Sequence, residues 1–141
     1  MADCIFCEIE AGRAPAHRVY EDERTLVFMD KFPVADGHTL IIPRRHAADL
    51  FETGEEDLRA VVSLSRRVAH AIREVLVPDG LGVFQLNGAA AGQTVFHYHM
   101  HLIPRMQGGS LRIHGRRPGD DGRLAEVAAQ LAGALGRSAG G

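Results

Sequence analysis

The sequence predicts an α+β domain: an antiparallel five-stranded sheet with one long helix and short terminal helices. Three observations carry that expectation. β-rich segments follow one another at hairpin-length spacing, one long amphipathic helical pattern is inserted among them, and the segments do not alternate strand with helix as a parallel sheet requires. The 141 residues suffice for one domain, expected over 1–141, with its core at about 3–105 and a variable extension over 106–141.

The elements follow in order. After Cys4-Ile5-Phe6-Cys7, the stretch Val19 to Met29 reads as two strands around a polar turn. Asp36-Gly37 then breaks the chain before His38 to Pro43, a third strand stopped by proline. Thr53-Gly54-Glu55-Glu56 has the form of a capping box, with Thr53 placed to satisfy a helix N-terminal amide. Leu58, Val61, Val62, Ser65, Val68, Ala69, Ile72, Val75 and Leu76 recur at helical intervals until Pro78-Asp79-Gly80 ends the pattern. Gly82 to Asn87 reads as a fourth strand, Gly88 to Gly92 as a loop, and Val95 to Pro104 as a fifth strand. Beyond Arg105 the chain is glycine-rich and basic through Gly119. Leu124, Val127, Ala128, Leu131 and Leu135 then suggest a modest terminal helix, and the last few residues are expected to be disordered.

Composition narrows the functional classes. Apolar residues make up 45% of the chain and the net charge is −2, with a pI near 6.4. Basic residues cluster no further than pairs such as Arg44-Arg45 and Arg116-Arg117, so a nucleic-acid partner is not expected. No run approaches the roughly 18 apolar residues of a membrane span, and the first residues lack a basic leader. The expectation is a cytoplasmic protein without membrane association.

Three histidines, His97, His99 and His101, alternate with Tyr98, Met100 and Leu102. On a strand this puts the imidazoles on one face and the apolar side chains on the other. Three imidazoles on a half-buried strand each bring ring nitrogens that need partners. They suit nucleophilic attack on a phosphoryl centre, with one imidazole forming the covalent bond and a neighbour protonating the leaving group. They also suit metal binding, although the outer two are separated by about 13 Å of strand, too far to share one ion. A buried histidine network is the third reading. Cys4 and Cys7 stand as Cys-x-x-Cys, a spacing that serves a redox pair, half a zinc site or neither.

His97-Tyr98-His99-Met100-His101-Leu102-Ile103 meets the pattern His-φ-His-φ-His-φ-φ, with φ apolar, without mismatch. With Gly92-Gln93-Thr94-Val95, Asn87, Gly37-His38-Thr39-Leu40, Pro43, His46 and Cys4-Ile5-Phe6-Cys7, the chain resembles the histidine triad (HIT) family over about residues 3 to 105. The resemblance implies a HIT-like homodimer that hydrolyses or transfers purine nucleoside monophosphates from phosphoramidates or dinucleoside polyphosphates. His99 matches the nucleophile and His101 the residue that assists the leaving group. Asn87, Gly92, Gln93 and Thr94 match positions around the phosphate, His38 a supporting histidine, Asp30 a ribose-binding acid, and Ile5, Phe6 and Phe28 the apolar wall beside the base. Taken singly, Asp30 and Asn87 also read as turn residues and Phe28 as core.

The resemblance further implies that His46 and His97 complete a Cys₂His₂ site with Cys4 and Cys7. Such a site is closed, so the zinc is structural; no organic cofactor is expected. His17, His70 and His114 match no motif and are expected at the surface or as ordinary helix residues. A nucleotide-binding regulatory protein with little or no turnover and a zinc hydrolase using the triad as ligands are the alternatives. The segment after Arg105 lacks the tryptophan of the purine phosphoramidase branch, whereas Gly92 to Val95 and Pro104-Arg105 lean towards the dinucleoside polyphosphate branch.

Overall fold

The computed structural model of the protein describes residues 3–138. Residues 1–2 and the last residues of the C-terminal tail, expected to be disordered, lie outside the described residues. The sheet has five strands in the order β1-β2-β3-β5-β4, with every neighbouring pair antiparallel. β1 (Arg18–Glu21) and β2 (Thr25–Met29) form the expected hairpin. Its turn is held by Asp22, whose Oδ1 accepts from the Arg24 amide at 2.9 Å and from the Thr25 amide and hydroxyl at 2.8 Å. β3 (Thr39–Pro43) follows, and β5 (Met100–Arg105) lies between it and the edge strand β4 (Gly80–Gln85).

Both faces of the central strands are covered. All five residues of β2 and of β3 are buried, as uninterrupted apolar runs require. On one face Val27, Ile41, Tyr98, Met100 and Leu102 pack with Val61, Val68 and Ile72 of α2 (Glu55–Leu76) and with Val127 and Leu131 of α3 (Asp121–Ser138). On the other, Leu26, Phe28, Leu40 and Ile42 pack with Cys4, Phe6 and Ile9 around the short helix α1 (Ile5–Glu10). Alternation along each strand therefore separates a purely apolar core from a layer that reaches the cysteines and histidines.

Four sequence expectations are corrected. Thr53 does not cap α2: Gly54 occupies the N-cap, and the Thr53 hydroxyl donates to the Asp49 carbonyl at 2.7 Å. Glu56 and Asp57, in the first turn, instead bind the Arg24 guanidinium at 2.8 and 3.0 Å, fastening the helix to the β1–β2 turn. The terminal helix α3 is neither short nor peripheral. It runs for 18 residues, and Leu131 and Leu135 are buried in the same core as α2. Its apolar stripe is weak in sequence because Ala128 and Ala134, both buried, do much of the close packing.

The third correction concerns β4, which begins at Gly80 and ends at Gln85, two residues earlier than the sequence suggests at each end. The fourth is that strand pairing along the histidine run starts only at Met100, so His97 and His99 precede the ladder. That approach is fastened by the Tyr98 amide, which donates to the Ala47 carbonyl at 2.8 Å. The face alternation survives, since Tyr98 and Met100 are in the apolar core while the three histidines point away from it.

Candidate functional site

The histidines fall into two adjoining groups. In the first, Cys4 is the N-cap of α1 and its Sγ accepts from the Cys7 amide at 3.3 Å, so the helix start presents both sulfurs side by side. His97 Nδ1 lies 3.5 Å from Cys4 Sγ and 3.6 Å from Cys7 Sγ, and His46 Nδ1 lies 3.3 Å from Cys7 Sγ. The four candidate ligand atoms are all within 4.8 Å of one another. A tetrahedral zinc with ordinary Cys and His bond lengths has sulfur–nitrogen edges of about 3.5 Å, so these separations fit one ion. His97 Nε2–H donates to the Pro43 carbonyl at 2.7 Å, which leaves the Nδ1 lone pair facing the sulfurs. Burial, reinforced by Cys4, pushes the Cys7 thiol up to about 11, a repulsion that a bound cation would relieve.

The second group holds His99, His101, His38 and Asp30. His99 Nδ1–H donates to the His97 carbonyl at 2.7 Å, so its Nε2 carries the free lone pair. Phe6 meets the His99 ring edge-on at 5.0 Å and meets Phe28 at 5.3 Å, fixing the ring against an apolar wall. His38 Nδ1 accepts from the Val34 amide at 3.2 Å, which makes its Nε2 the donor. That proton lies 2.9 Å, nitrogen to nitrogen, from His101 Nδ1 and 3.3 Å from Asp30 Oδ2. His101 Nδ1 is thereby an acceptor, and its Nε2 bears the hydrogen. The neighbouring imidazoles therefore present opposite functions: a lone pair on His99 and a proton on His101. Phe84 stacks on the His101 ring at 4.8 Å and 17°, a contact the sequence pattern did not single out.

Burial is the largest influence on each ring and favours the neutral form. It lowers His99, carries His38 and His97 down to about 4, and carries His101 down to about 3. The Asp30–His38 contact is accordingly a hydrogen bond from a neutral imidazole, not an ion pair. Asp30 is tethered besides, its Oδ1 accepting from the Phe32 amide at 2.8 Å.

The other candidates line up unevenly. Ile5 is half exposed, whereas Phe6 and Phe28 are buried behind it. Gly92 ends a short 3₁₀ turn (Ala89–Ala91) at φ 100°, a conformation glycine adopts without strain. Gln93 is buried with its carboxamide fully engaged: Oε1 accepts from the Gly88 amide at 2.7 Å, and Nε2 donates to the Ala48 and Val95 carbonyls at 2.6 and 3.0 Å. Its visible work is to hold the loop, while Thr94 is exposed beside it. Asn87 accepts from the Leu50 amide and from Gln85, both at 2.7 Å. His17 binds Asp121 at 2.7 Å, and His70 lies beside Arg73 on α2. His114 departs from expectation. It belongs neither to the open surface nor to a helix, because its Nε2 is buried next to Gly92. Only a long-range approach of the segment after β5 puts it there, and no local pattern marks it.

Comparison with known proteins agrees with this geometry. A family model described as the HIT domain matches residues 11–108. A HIT-like protein of Mycoplasma genitalium is 43% identical over 108 residues, 77% of each chain. The adenylylsulfatase HINT3 of Arabidopsis thaliana is 40% identical over 105 residues, which are 74% of this chain and 53% of that one. Among solved structures, a zinc-bound histidine triad family protein from Mycobacterium smegmatis superposes with a TM-score of 0.86 at 39% identity, covering 99% of this chain and 97% of that one.

The depressed imidazoles make stability depend on pH. Folded His38 and His101 titrate near 4 and 3, against 6.5 for an unperturbed imidazole, so the unfolded chain binds more protons in between. Their contribution is complete above pH 6.5 and is lost as the pH falls towards 4. Urea unfolding should show a lower midpoint at about pH 5 than at about pH 7.5. Replacing both residues by Gln should shrink the difference, and equal wild-type midpoints would contradict burial of neutral rings.

Proposed function

The chain belongs to the histidine triad (HIT) family, and from that premise we propose that it is a nucleotide hydrolase or nucleotidyltransferase acting at the α-phosphate of a purine nucleotide. The substrate is a nucleoside phosphoramidate or a dinucleoside polyphosphate. The observation that carries this reading is the pairing of a buried His99 Nε2 lone pair with a buried His101 Nε2–H on the neighbouring ring.

The chemistry follows from those two nitrogens. His99 Nε2 attacks phosphorus as the bond to the leaving group breaks. The leaving atom keeps the electron pair, accepts a hydrogen bond from the His101 Nε2–H that stabilises its developing charge, and takes its proton from water. The new nucleotidyl-imidazole is cationic, and its Nδ1–H remains on the His97 carbonyl, which stabilises the developing charge. In the second half, water attacks phosphorus, the phosphorus–nitrogen bond breaks back onto His99, and the proton released by water returns to solvent, replacing the one the leaving atom took, while His101 Nε2–H holds a phosphate oxygen. His38 keeps His101 in the required tautomer, with Asp30 behind it. Asp30 is the candidate for the ribose hydroxyls. Ile5, Phe6 and Phe28 would flank the base, and Asn87, Gly92, Gln93 and Thr94 would surround the phosphate, with Gln93 acting through the loop it holds. A relative that carries the name adenylylsulfatase is consistent with attack on an adenylyl phosphorus.

Cys4, Cys7, His46 and His97 would hold a structural zinc, whose role is to fix α1 and the His97 carbonyl. A relative of similar fold that is described as zinc-bound is consistent with zinc at such a site. A homodimer would use the free edge of β4, where Val83 is half exposed.

Three measurements test the reading. Wild-type protein should release AMP from an adenosine phosphoramidate or from a diadenosine polyphosphate, and His99→Ala should lower turnover by about 10³-fold or more with the fold retained. Nucleotide binding without wild-type turnover would instead favour a regulatory binder. Elemental analysis should find about one zinc per chain, and Cys7→Ser should reduce it and lower the melting temperature. Sedimentation equilibrium should report twice the chain mass, and a monomer at all concentrations would remove the β4 pairing.

A further inference from the structure

The mechanism leaves one stretch of chain unused. Between β5 and α3, residues 106–119 form a strap without helix or strand that is held at both ends. Arg105 fastens its first part, donating to the Ser110 carbonyl at 2.9 Å and to the Arg112 carbonyl at 2.5 Å. The Gly119 amide fastens its last part to the Lys31 carbonyl at 2.8 Å. At Gly115 the backbone lies so close to Phe32 that a Cβ would fall 2.1 Å from the Phe32 carbonyl oxygen, so this position accepts no side chain. The strap thus touches the Gly92 loop through Ile113 and His114 and the loop that follows Asp30 through Gly115 and Gly119.

His114 sits in the middle of that span. Among the described residues, its Nε2 is a buried side-chain nitrogen without a hydrogen-bond partner. It faces the bare Cα of Gly92: a Cβ there would lie 3.3 Å from Nε2 and 3.4 Å from Ile113 Cδ1. A positive charge on His114 would disfavour protonation of His38, His99 and His101 alike, which places it within electrostatic reach of all three. The strap also carries Arg112, Arg116 and Arg117 and has no acidic residue before Asp120.

We propose that His114 is a fourth histidine of the site, a substrate-binding residue whose Nε2–H donates to a phosphate oxygen of the bound nucleotide. The inference rests on the nucleotide reading above and deepens it. A buried ring nitrogen without a partner is satisfied as a donor when a ligand brings an acceptor, and phosphate oxygens are acceptors that a bare nucleoside lacks. Gly92 then has a second role, since any larger residue would occupy the space His114 faces. The strap makes the site select for the phosphate of its ligand, independently of the base.

The test is calorimetric titration of the full chain with AMP and with adenosine, in the wild type, His114→Ala and His114→Gln. His114→Ala should weaken AMP binding about tenfold and leave adenosine binding unchanged, and His114→Gln, which keeps a donor, should recover part of the loss. In histidine-selective NMR of the wild type, AMP should shift the His114 ring resonance and adenosine should not. Unchanged AMP affinity in a folded His114→Ala protein, or a His114 resonance indifferent to AMP, would overturn the proposal and leave Nε2 to ordinary hydration. If His114→Ala does not fold, the wild-type resonance decides. Failure of the wild type itself to bind AMP would sink the nucleotide reading and this inference with it, whereas wild-type binding with an insensitive variant sinks this inference alone.

Discussion

Buried imidazoles coexist here because each has one ring nitrogen committed to a fixed partner. His97 gives Nε2–H to the Pro43 carbonyl, His99 gives Nδ1–H to the His97 carbonyl, and His38 receives the Val34 amide at Nδ1 and so donates from Nε2. An imidazole that is neutral and has one nitrogen assigned has no remaining freedom about the other. The commitments to backbone groups therefore dictate the exposed chemistry: a lone pair towards the sulfurs from His97, a lone pair from His99, and a proton from His101. Burial supplies the neutrality on which this depends, since it disfavours the charged form of every one of these rings.

The sheet makes that arrangement affordable. Strand alternation sends Tyr98, Met100 and Leu102 into the core beneath α2 and α3, so the segment is anchored through residues that take no part in the chemistry. Its other face can then carry polar side chains without loosening the fold. Pairing begins only at Met100, and this gives the His97–His99 stretch room to bend towards α1, while Ala47 and Pro43 supply the backbone oxygens that a regular ladder would have used for a neighbouring strand. His101, inside the ladder and opposite Leu40 and Phe84, is the most rigidly framed of the three.

Sequence was a good guide where the determinant is local or periodic. The alternation at 97 to 102 and the apolar runs of β2 and β3 each state their own burial pattern, and the structure keeps it; the helical repeat of α2 holds at Val61, Val68 and Ile72, but Val62 is exposed while Leu64 and Ala71 are buried in its stead. The Cys-x-x-Cys spacing indicated paired sulfurs, and the structure pairs them with His46 and His97. What was missed has three different causes. The capping-box spacing at Thr53 was correct as a pattern, but Asp49 offered the hydroxyl a nearer acceptor. α3 was underestimated because buried alanines carry little hydrophobic signal. His114 was invisible because its position follows from Gly115 and Gly119 letting the strap lie flat on the Phe32–Pro33 backbone and side chain, contacts between segments about eighty residues apart.

One peptide group joins the two clusters. The side chain of His97 faces Cys4 and Cys7, while its own carbonyl oxygen orients His99 through Nδ1–H. Any motion of the sulfur cluster that rotates the peptide after His97 must therefore turn the His99 ring or lengthen a 2.7 Å hydrogen bond. Phe6 reinforces the link, since it lies between the cysteines in sequence and meets both the His97 and the His99 rings, at 6.0 and 5.0 Å. A group bound among Cys4, Cys7, His46 and His97 would thus act on the nucleophile by holding its acceptor still, with no contact to the reacting phosphorus. That is a sufficient physical reason for a closed, four-ligand cluster to adjoin a reactive imidazole: it rigidifies the carbonyl on which the orientation of that imidazole depends.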